Sequence, residues 1–205
     1  MKTILVTGFG PYPGAPYNPT AALVSVLTRH TQRGSARIVG HVFTTSYAAV
    51  DRDLPKLIKA HKPDALLMFG LAPRTRFIRI ETRARNGVAM TPDATRGNHR
   101  RLIEAGAPFT RPLPAPAARL AAALRRLPVP ARLSHDAGRY LCNYASWRAA
   151  EAAGKSGPRI AAFVHVPLVR RDAPPTSRRA PFSRARLERA GKALLADFIA
   201  LANRH

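Results

Sequence analysis

Apolar residues recur along this chain with two periods that alternate. Thr3–Thr7 is a short β-branched run that reads as a buried strand. Asn18-Pro19-Thr20 carries the signals of a helix start, and Ala22, Leu23, Val26 and Leu27 repeat at helical spacing to about His30. Arg37–Thr44 predicts a second strand. Tyr47–Ala60 predicts a helix that Pro55 breaks or kinks. Ala65–Phe69 is a continuous apolar strand ending at Gly70. Strands alternating with helices of this length predict an α/β layer fold around a mainly parallel sheet.

The second half keeps the alternation, with one interruption. Within Phe77–Arg85, Ile78, Ile80, Thr82 and Ala84 fall on one face, and Phe77, Arg79, Glu81 and Arg83 on the other. From Asn86 to about Pro114 the periodicity disappears, and Pro92, Gly97, Gly106, Pro108 and Pro112 mark a long loop, functional or disordered. Ala115–Leu127 predicts a helix, Ala131–Leu133 a strand, Gly138–Ala153 a helix and Ile160–Val166 a buried strand. Val169–Pro181 is basic and Pro-rich and predicts a mobile segment. Ser183–Asn203 predicts a last helix packing Leu187, Ala190, Leu194, Phe198 and Leu201 along one stripe. No repeat or linker divides the chain, so residues 1–205 are expected to form one domain with a proper core.

Composition narrows the class. Hydrophobic residues make up 46%, yet no apolar run reaches the ~18 residues that span a membrane. The apolar stretch of the N-terminus is too short for a signal peptide and reads as the first strand. A single cysteine excludes an intramolecular disulfide and a multi-cysteine zinc site, and a reducing cytoplasm is the expected location. The formal net charge is +23, from 34 basic and 11 acidic residues. That balance attracts polyanions at low salt. The basic residues are nevertheless spread along the chain with few aromatics between them, and no nucleic-acid recognition motif is present. No specific nucleic-acid partner and no membrane partner is expected.

The lone cysteine, Cys142, follows Asp136-Ala137-Gly138-Arg139-Tyr140-Leu141, where a Gly-containing turn runs into a predicted helix. A thiol in the first turn of a helix meets free N–H groups and the positive end of the dipole, which favour the nucleophilic thiolate. Downstream, a strand ends in Val164-His165-Val166-Pro167; upstream, another carries Glu81. A lone cysteine with a histidine and a carboxylate elsewhere in the chain fits a thiol hydrolase. The competing reading is structural, since most single cysteines are small buried hydrophobes and most strand-end histidines are ordinary core or surface residues. Gly8-Phe9-Gly10-Pro11-Tyr12 follows the first strand. Its prolines and aromatics argue against a dinucleotide loop. Phe9 and Tyr12 suit the walls of a small flat pocket, or plain core packing.

Four blocks together resemble the pyroglutamyl-peptidase I (pyrrolidone-carboxylate peptidase) family. They are Thr7-Gly8-Phe9-Gly10-Pro11-Tyr12-Pro13-Gly14 with Asn18-Pro19; Glu81-Thr82-Arg83-Ala84-Arg85-Asn86; Ala137-Gly138-Arg139-Tyr140-Leu141-Cys142-Asn143; and Phe163-Val164-His165-Val166-Pro167. They occur in family order with family-like spacing over nearly the whole chain. The resemblance implies a cytosolic cysteine peptidase that removes N-terminal pyroglutamate from peptides, on an α/β/α sandwich. It implies no metal and no cofactor, a catalytic triad of Glu81, Cys142 and His165, and Phe9, Tyr12 and Tyr140 as substrate-binding aromatics around a lactam ring. Members often assemble into tetramers, so a homo-oligomer is an expectation that the high charge opposes.

The chain also departs from the family pattern. Gly70-Leu71-Ala72-Pro73-Arg74 stands where the family has G-Q-A-G-G-R. Val88-Ala89-Met90-Thr91-Pro92-Asp93-Ala94 stands where it has D-A-R-I-P-D-N, so an arginine implicated at the oxyanion site has no counterpart in place, leaving Arg83, Arg85 or Arg96 as substitutes. Pro13 replaces a family glycine. Two alternatives therefore stay open: a divergent thiol hydrolase of another small N-acyl or lactam amide, and a non-catalytic binding protein on the same scaffold.

Overall fold

The structure, a computed structural model, describes residues 1–12, 15–29, 32–34, 36–89, 102–154, 157–169 and 182–204. The described elements are, in chain order, β1 (Lys2–Phe9), α1 (Pro19–Leu27), β2 (Gln32–Arg33), β3 (Ala36–Phe43), α2 (Tyr47–His61), β4 (Ala65–Leu71), β5 (Ile78–Glu81), β6 (Arg83–Arg85), β7 (Thr110–Pro112), α3 (Ala117–Arg125), β8 (Ala131–Ser134), α4 (Leu141–Ala153), β9 (Ile160–Val166) and α5 (Arg184–Ala202).

Among the described residues the main sheet has seven strands, ordered β2-β3-β1-β4-β9-β5-β8. β3, β1, β4 and β9 are parallel neighbours. β5 runs antiparallel to β9 and parallel to β8, and β2 is antiparallel to β3, so the sheet is mixed and mainly parallel. Every residue of β4 and β9 is buried, as expected of strands that helices cover on both sides.

The side-chain period of two sorts the core into two layers. Ile4, Val6, Leu67 and Val164 face α1, α3 and α5, where they meet Leu23, Leu124, Leu194 and Phe198. Leu5, Met68 and Phe163 face α2 and α4, where they meet Tyr47, Val50 and Tyr144. Each fully buried side chain of this kind contributes about 1.5–3 kcal/mol. The result is an α/β/α sandwich, and the Leu187-to-Leu201 stripe of α5 lies buried within it.

Local signals set the helix ends. Asn18 caps α1 by accepting from the Thr20 N–H, with Pro19 in the first turn. Ser46 caps α2 by accepting from the Ala49 N–H, and Lys62 ends it in the left-handed region. Pro55 sits inside α2 without ending it.

The structure corrects three sequence expectations. The Phe77–Arg85 run is not one strand: at Thr82 the N–H donates to the Ser134 carbonyl while the Thr82 carbonyl accepts from the Leu113 N–H, and the chain passes from β5 into a separate β6–β7 ribbon. The irregular stretch from Asn86 to Pro114 accordingly contains a strand, β7; its residues 90–101 lie outside the described residues. The cysteine helix begins at Leu141 rather than Gly138, because Gly138 has φ +84° and its N–H is held by the Asp136 carboxylate at 2.9 Å. Of the basic segment Val169–Pro181, residues 170–181 are outside the described residues; Val169 pairs with Phe182 in an isolated bridge. No helix among the described residues is long and apolar enough to cross a membrane.

Candidate active site

The parallel strands deliver their carboxyl ends to one edge of the sheet, where α/β sheets hold their sites. Cys142 is the second residue of α4, half-buried. Tyr140 occupies the N-cap position but makes no side-chain capping bond, so the first-turn N–H groups are left for another partner. His165 is the penultimate residue of β9 and lies beside Gly70 of β4. The missing side chain at Gly70 leaves the space that the Cys142 sulfur occupies.

The carboxylate comes from the strand that runs the other way. In the β5–β9 register Arg79 lies opposite His165 and Glu81 opposite Phe163. Directly opposed residues share a face, so Arg79, Glu81, Phe163 and His165 all face α4. Glu81 reaches His165 diagonally, and Oε1 lies 2.7 Å from Nδ1. That contact leaves Nε2 for the Cys142 side. The same Oε1 accepts from Arg79 Nε at 3.0 Å and from a terminal guanidinium nitrogen at 2.8 Å. Glu81 is thus shared between His165 and Arg79, and the ion pair does not displace the imidazole.

Electrostatics agree with the geometry. Burial pushes the Glu81 carboxyl up, but the hydrogen bond and charge of His165, with Arg79 beside it, hold it below the usual carboxylate range. Burial pushes the His165 imidazole down; the charge and hydrogen bond of Cys142, and then Glu81, outweigh it and raise His165 to about 9. Burial pushes the Tyr12 phenol up, helped by the nearby Cys142 charge.

Phe9, Tyr12, Leu71, Tyr140, Cys142 and His165 line one cavity of about 150 Å³. Tyr12 and Tyr140 stand with ring centroids 6.3 Å apart, and Tyr47 supports Tyr140 edge-on at 5.9 Å. Phe9 lines the cavity and also packs on Phe43 at 5.6 Å, so both sequence readings of it hold. The loop after β1 is pinned through the Gly10 carbonyl, which accepts from Asn18 Nδ2 at 3.1 Å and from the Thr45 hydroxyl at 2.9 Å. Glu81 stands behind His165 and does not line the cavity. A larger hollow of about 410 Å³ lies between α2 and α4, lined by Val50, Leu54, Ile58 and Arg148, away from Cys142. Among the described residues no three His, Cys, Asp or Glu side chains converge as a metal site would require.

Three residues that the sequence motifs did not single out belong to this neighbourhood. Asn143 is fully buried; its amide accepts from the Arg85 N–H at 2.8 Å and donates to the carbonyls of Arg85 at 2.8 Å and Gly87 at 3.0 Å, fixing the first turn of α4 to β6. Its place directly after Cys142 was the available signal. Exposed Arg139 lines the cavity, and Arg79 joins Glu81 to the loop before α4. The proposed arginine substitutes are engaged elsewhere: Arg83 donates to the His135 carbonyl and Arg85 pairs with Asp136 at 3.4 Å. Pro13, Met90–Ala94 and Arg96 lie outside the described residues.

The pyroglutamyl peptidase family model matches residues 2–184 of this chain. The chain belongs to the pyroglutamyl peptidase family. It is 33% identical over 172 residues to the pyrrolidone-carboxylate peptidase of Thermococcus litoralis, covering 82% of this chain and 77% of that one. It is also 33% identical over 173 residues to the enzyme of that name from Pyrococcus furiosus, covering 81% of each. The solved structure of pyrrolidone carboxyl peptidase from Thermococcus litoralis superposes with a TM-score of 0.93 at 26% identity, covering 100% of this chain and 96% of that one. Family membership therefore rests on sequence and on fold.

Proposed function

We propose that residues 1–205 act as one peptidase-like unit that removes N-terminal pyroglutamate from peptides, with Cys142, His165 and Glu81 as its catalytic residues. The observation that carries this reading is the buried Glu81–His165 pair with the lone cysteine beside it, His165 and Cys142 both lining a small, mostly apolar cavity. Membership of the pyroglutamyl peptidase family supports it.

The chemistry follows from the groups present. The Cys142 thiolate attacks the carbonyl that joins the lactam ring to the peptide. The oxyanion formed faces the Cys142 N–H at the uncapped start of α4. His165, protonated at Nε2, gives that proton to the departing amine as the C–N bond breaks, leaving a thioester on Cys142. Water then attacks the thioester, His165 takes its proton, and pyroglutamate leaves as the sulfur recovers its charge. Glu81 holds Nδ1–H and stabilises the imidazolium throughout. A pyroglutamyl ring is small, flat and uncharged, which suits the Phe9, Tyr12 and Tyr140 walls and needs no counter-ion.

A second reading, hydrolysis of another small N-acyl or lactam amide, is favoured by one observation: Leu71, and not a polar amide side chain, faces the cavity. The test is a panel of aminocoumarin amides carrying pyroglutamyl, prolyl, N-acetylglycyl and free glutamyl groups. Pyroglutamyl-selective turnover supports the first reading, and turnover confined to another N-acyl amide replaces it with the second.

A further inference from the structure

Arg79 has more bonds at this site than a charge neutraliser needs. Its Nε and one terminal nitrogen both donate to Glu81 Oε1, the atom that His165 Nδ1 also uses. The same terminal nitrogen donates to the backbone carbonyl of Asp136. Asp136 starts the turn that continues through Gly138 and Tyr140 into Cys142, and that turn forms one wall of the cavity. The guanidinium therefore bridges two parts of the site: the carboxylate on β5 and the wall that leads into the nucleophile helix. A planar fork with several fixed donors can make this bridge; a single ammonium cannot hold both ends in the same geometry.

We propose that Arg79 is a positioning residue that locks the Glu81–His165 pair to the segment 136–140, so that the nucleophile, the base and the ring pocket keep one relative placement. The proposal rests on the peptidase reading for its substrate-binding part alone. Arg79 lies opposite His165 in the strand register, so its cation also opposes the imidazolium that Glu81 favours. Among the described residues, the charged and titratable groups beside the pair are Arg79 on β5 and Cys142 on α4, with Tyr12 and Arg139 lining the cavity that His165 also lines. Asp136 is itself paired with Arg85 of β6.

The two functions separate by substitution. Arg79→Leu removes the cation and the bridge. His165 then keeps its proton to higher pH, so the alkaline limb of kcat/KM moves up by about one pH unit. The loosened wall raises KM about ten-fold, the loss expected for a hydrogen bond to a charged group. Arg79→Lys keeps the charge and loses the fork: the limb stays, and KM rises as in the leucine variant. Arg79→Gln, which removes the charge with the smallest change of shape, moves the limb if the leucine variant does not fold. Cys142 alkylation, read by mass spectrometry at the chain's one cysteine, needs no proton from His165, so its rate changes without falling away as the imidazolium deprotonates; the pH of that change moves with the same substitutions and needs no substrate. It therefore separates failure of this proposal from failure of the peptidase reading. Arg79→Leu with KM and both pH profiles unchanged overturns the proposal; the split between leucine and lysine variants is the result expected.

Discussion

Gly70 and Cys142 share one small volume. A methyl group at position 70 would stand 2.8 Å from the Cys142 sulfur and 2.6 Å from the Phe163 ring. Phe163 cannot yield, being fully buried and packed against His165 at 5.1 Å, so the half-buried Cys142 sulfur is the neighbour that is displaced. Gly70→Ala is expected to destabilise the fold by about 1–3 kcal/mol through overpacking. It is also expected to lower kcat/KM by up to about 100-fold through displacement of the sulfur. Thermal unfolding and steady-state kinetics on the same sample check both. Wild-type kinetics in Gly70→Ala would mean that the sulfur does not react from this position.

Glu81→Gln keeps shape and removes charge. One neutral amide oxygen must then serve both the His165 Nδ1–H and Arg79 in place of the carboxylate. By analogy with triads of this kind, kcat is expected to fall about 10³–10⁴-fold. The alkaline limb should move toward lower pH, because the imidazolium loses its stabilising anion. A fall of less than ten-fold would assign Glu81 to a structural ion pair with Arg79.

Stability should carry the signature of the same pair. His165 is raised from 6.5 to about 9, so its contribution is complete below about pH 6.5 and is lost as pH rises through 9. Glu81 is lowered, so its contribution is complete above the ordinary carboxylate range and is lost as pH falls through its depressed value. Denaturant titrations from pH 5 to pH 10 should therefore show declining stability above neutrality, and His165→Ala should flatten that decline. An equal alkaline slope in both proteins would contradict the assignment.

The strand and helix pattern made most of the sandwich legible, because β1, β4 and β9 are apolar on both faces and α5 shows an unbroken stripe. The proposed triad of Glu81, Cys142 and His165 and the aromatics Phe9, Tyr12 and Tyr140 come from the family resemblance, and the structure brings them to one place. The sequence could not show that β5 runs antiparallel to β9. That reversal is what brings Glu81 diagonal to His165 and Arg79 opposite it. Strand direction depends on long-range pairing, which local periodicity does not encode. β7 was hidden for a different reason: Thr110-Arg111-Pro112 is too short to show a period and ends in a strand-disfavouring proline. Gly138 misled the helix boundary, since a glycine before a helix reads equally as first turn or as preceding loop.

Asn143 offers a test of how α4 is held. Its side chain makes three hydrogen bonds to the backbone of Arg85 and Gly87, in a fully buried position. Asn143→Ala takes its partner from the Arg85 N–H and the Gly87 carbonyl, while the Arg85 carbonyl still accepts from the Gly87 N–H, and is expected to cost about 2–4 kcal/mol. Asn143→Asp should be at least as damaging, because a carboxylate cannot donate to the two carbonyls. Chemical denaturation measures the loss, and a cost below about 0.5 kcal/mol would show that β6 does not anchor the nucleophile helix.

Cys142, activated by His165, is assigned the cleavage of the bond after an N-terminal pyroglutamyl group. The most direct measurement of that assignment is release of free pyroglutamate from a pyroglutamyl peptide, quantified for the native protein, Cys142→Ala and His165→Ala, with each variant shown to be folded. Release by the native protein, and none above background by either variant, is the expected result. Release that persists in folded Cys142→Ala, or no release by the native protein, would contradict it.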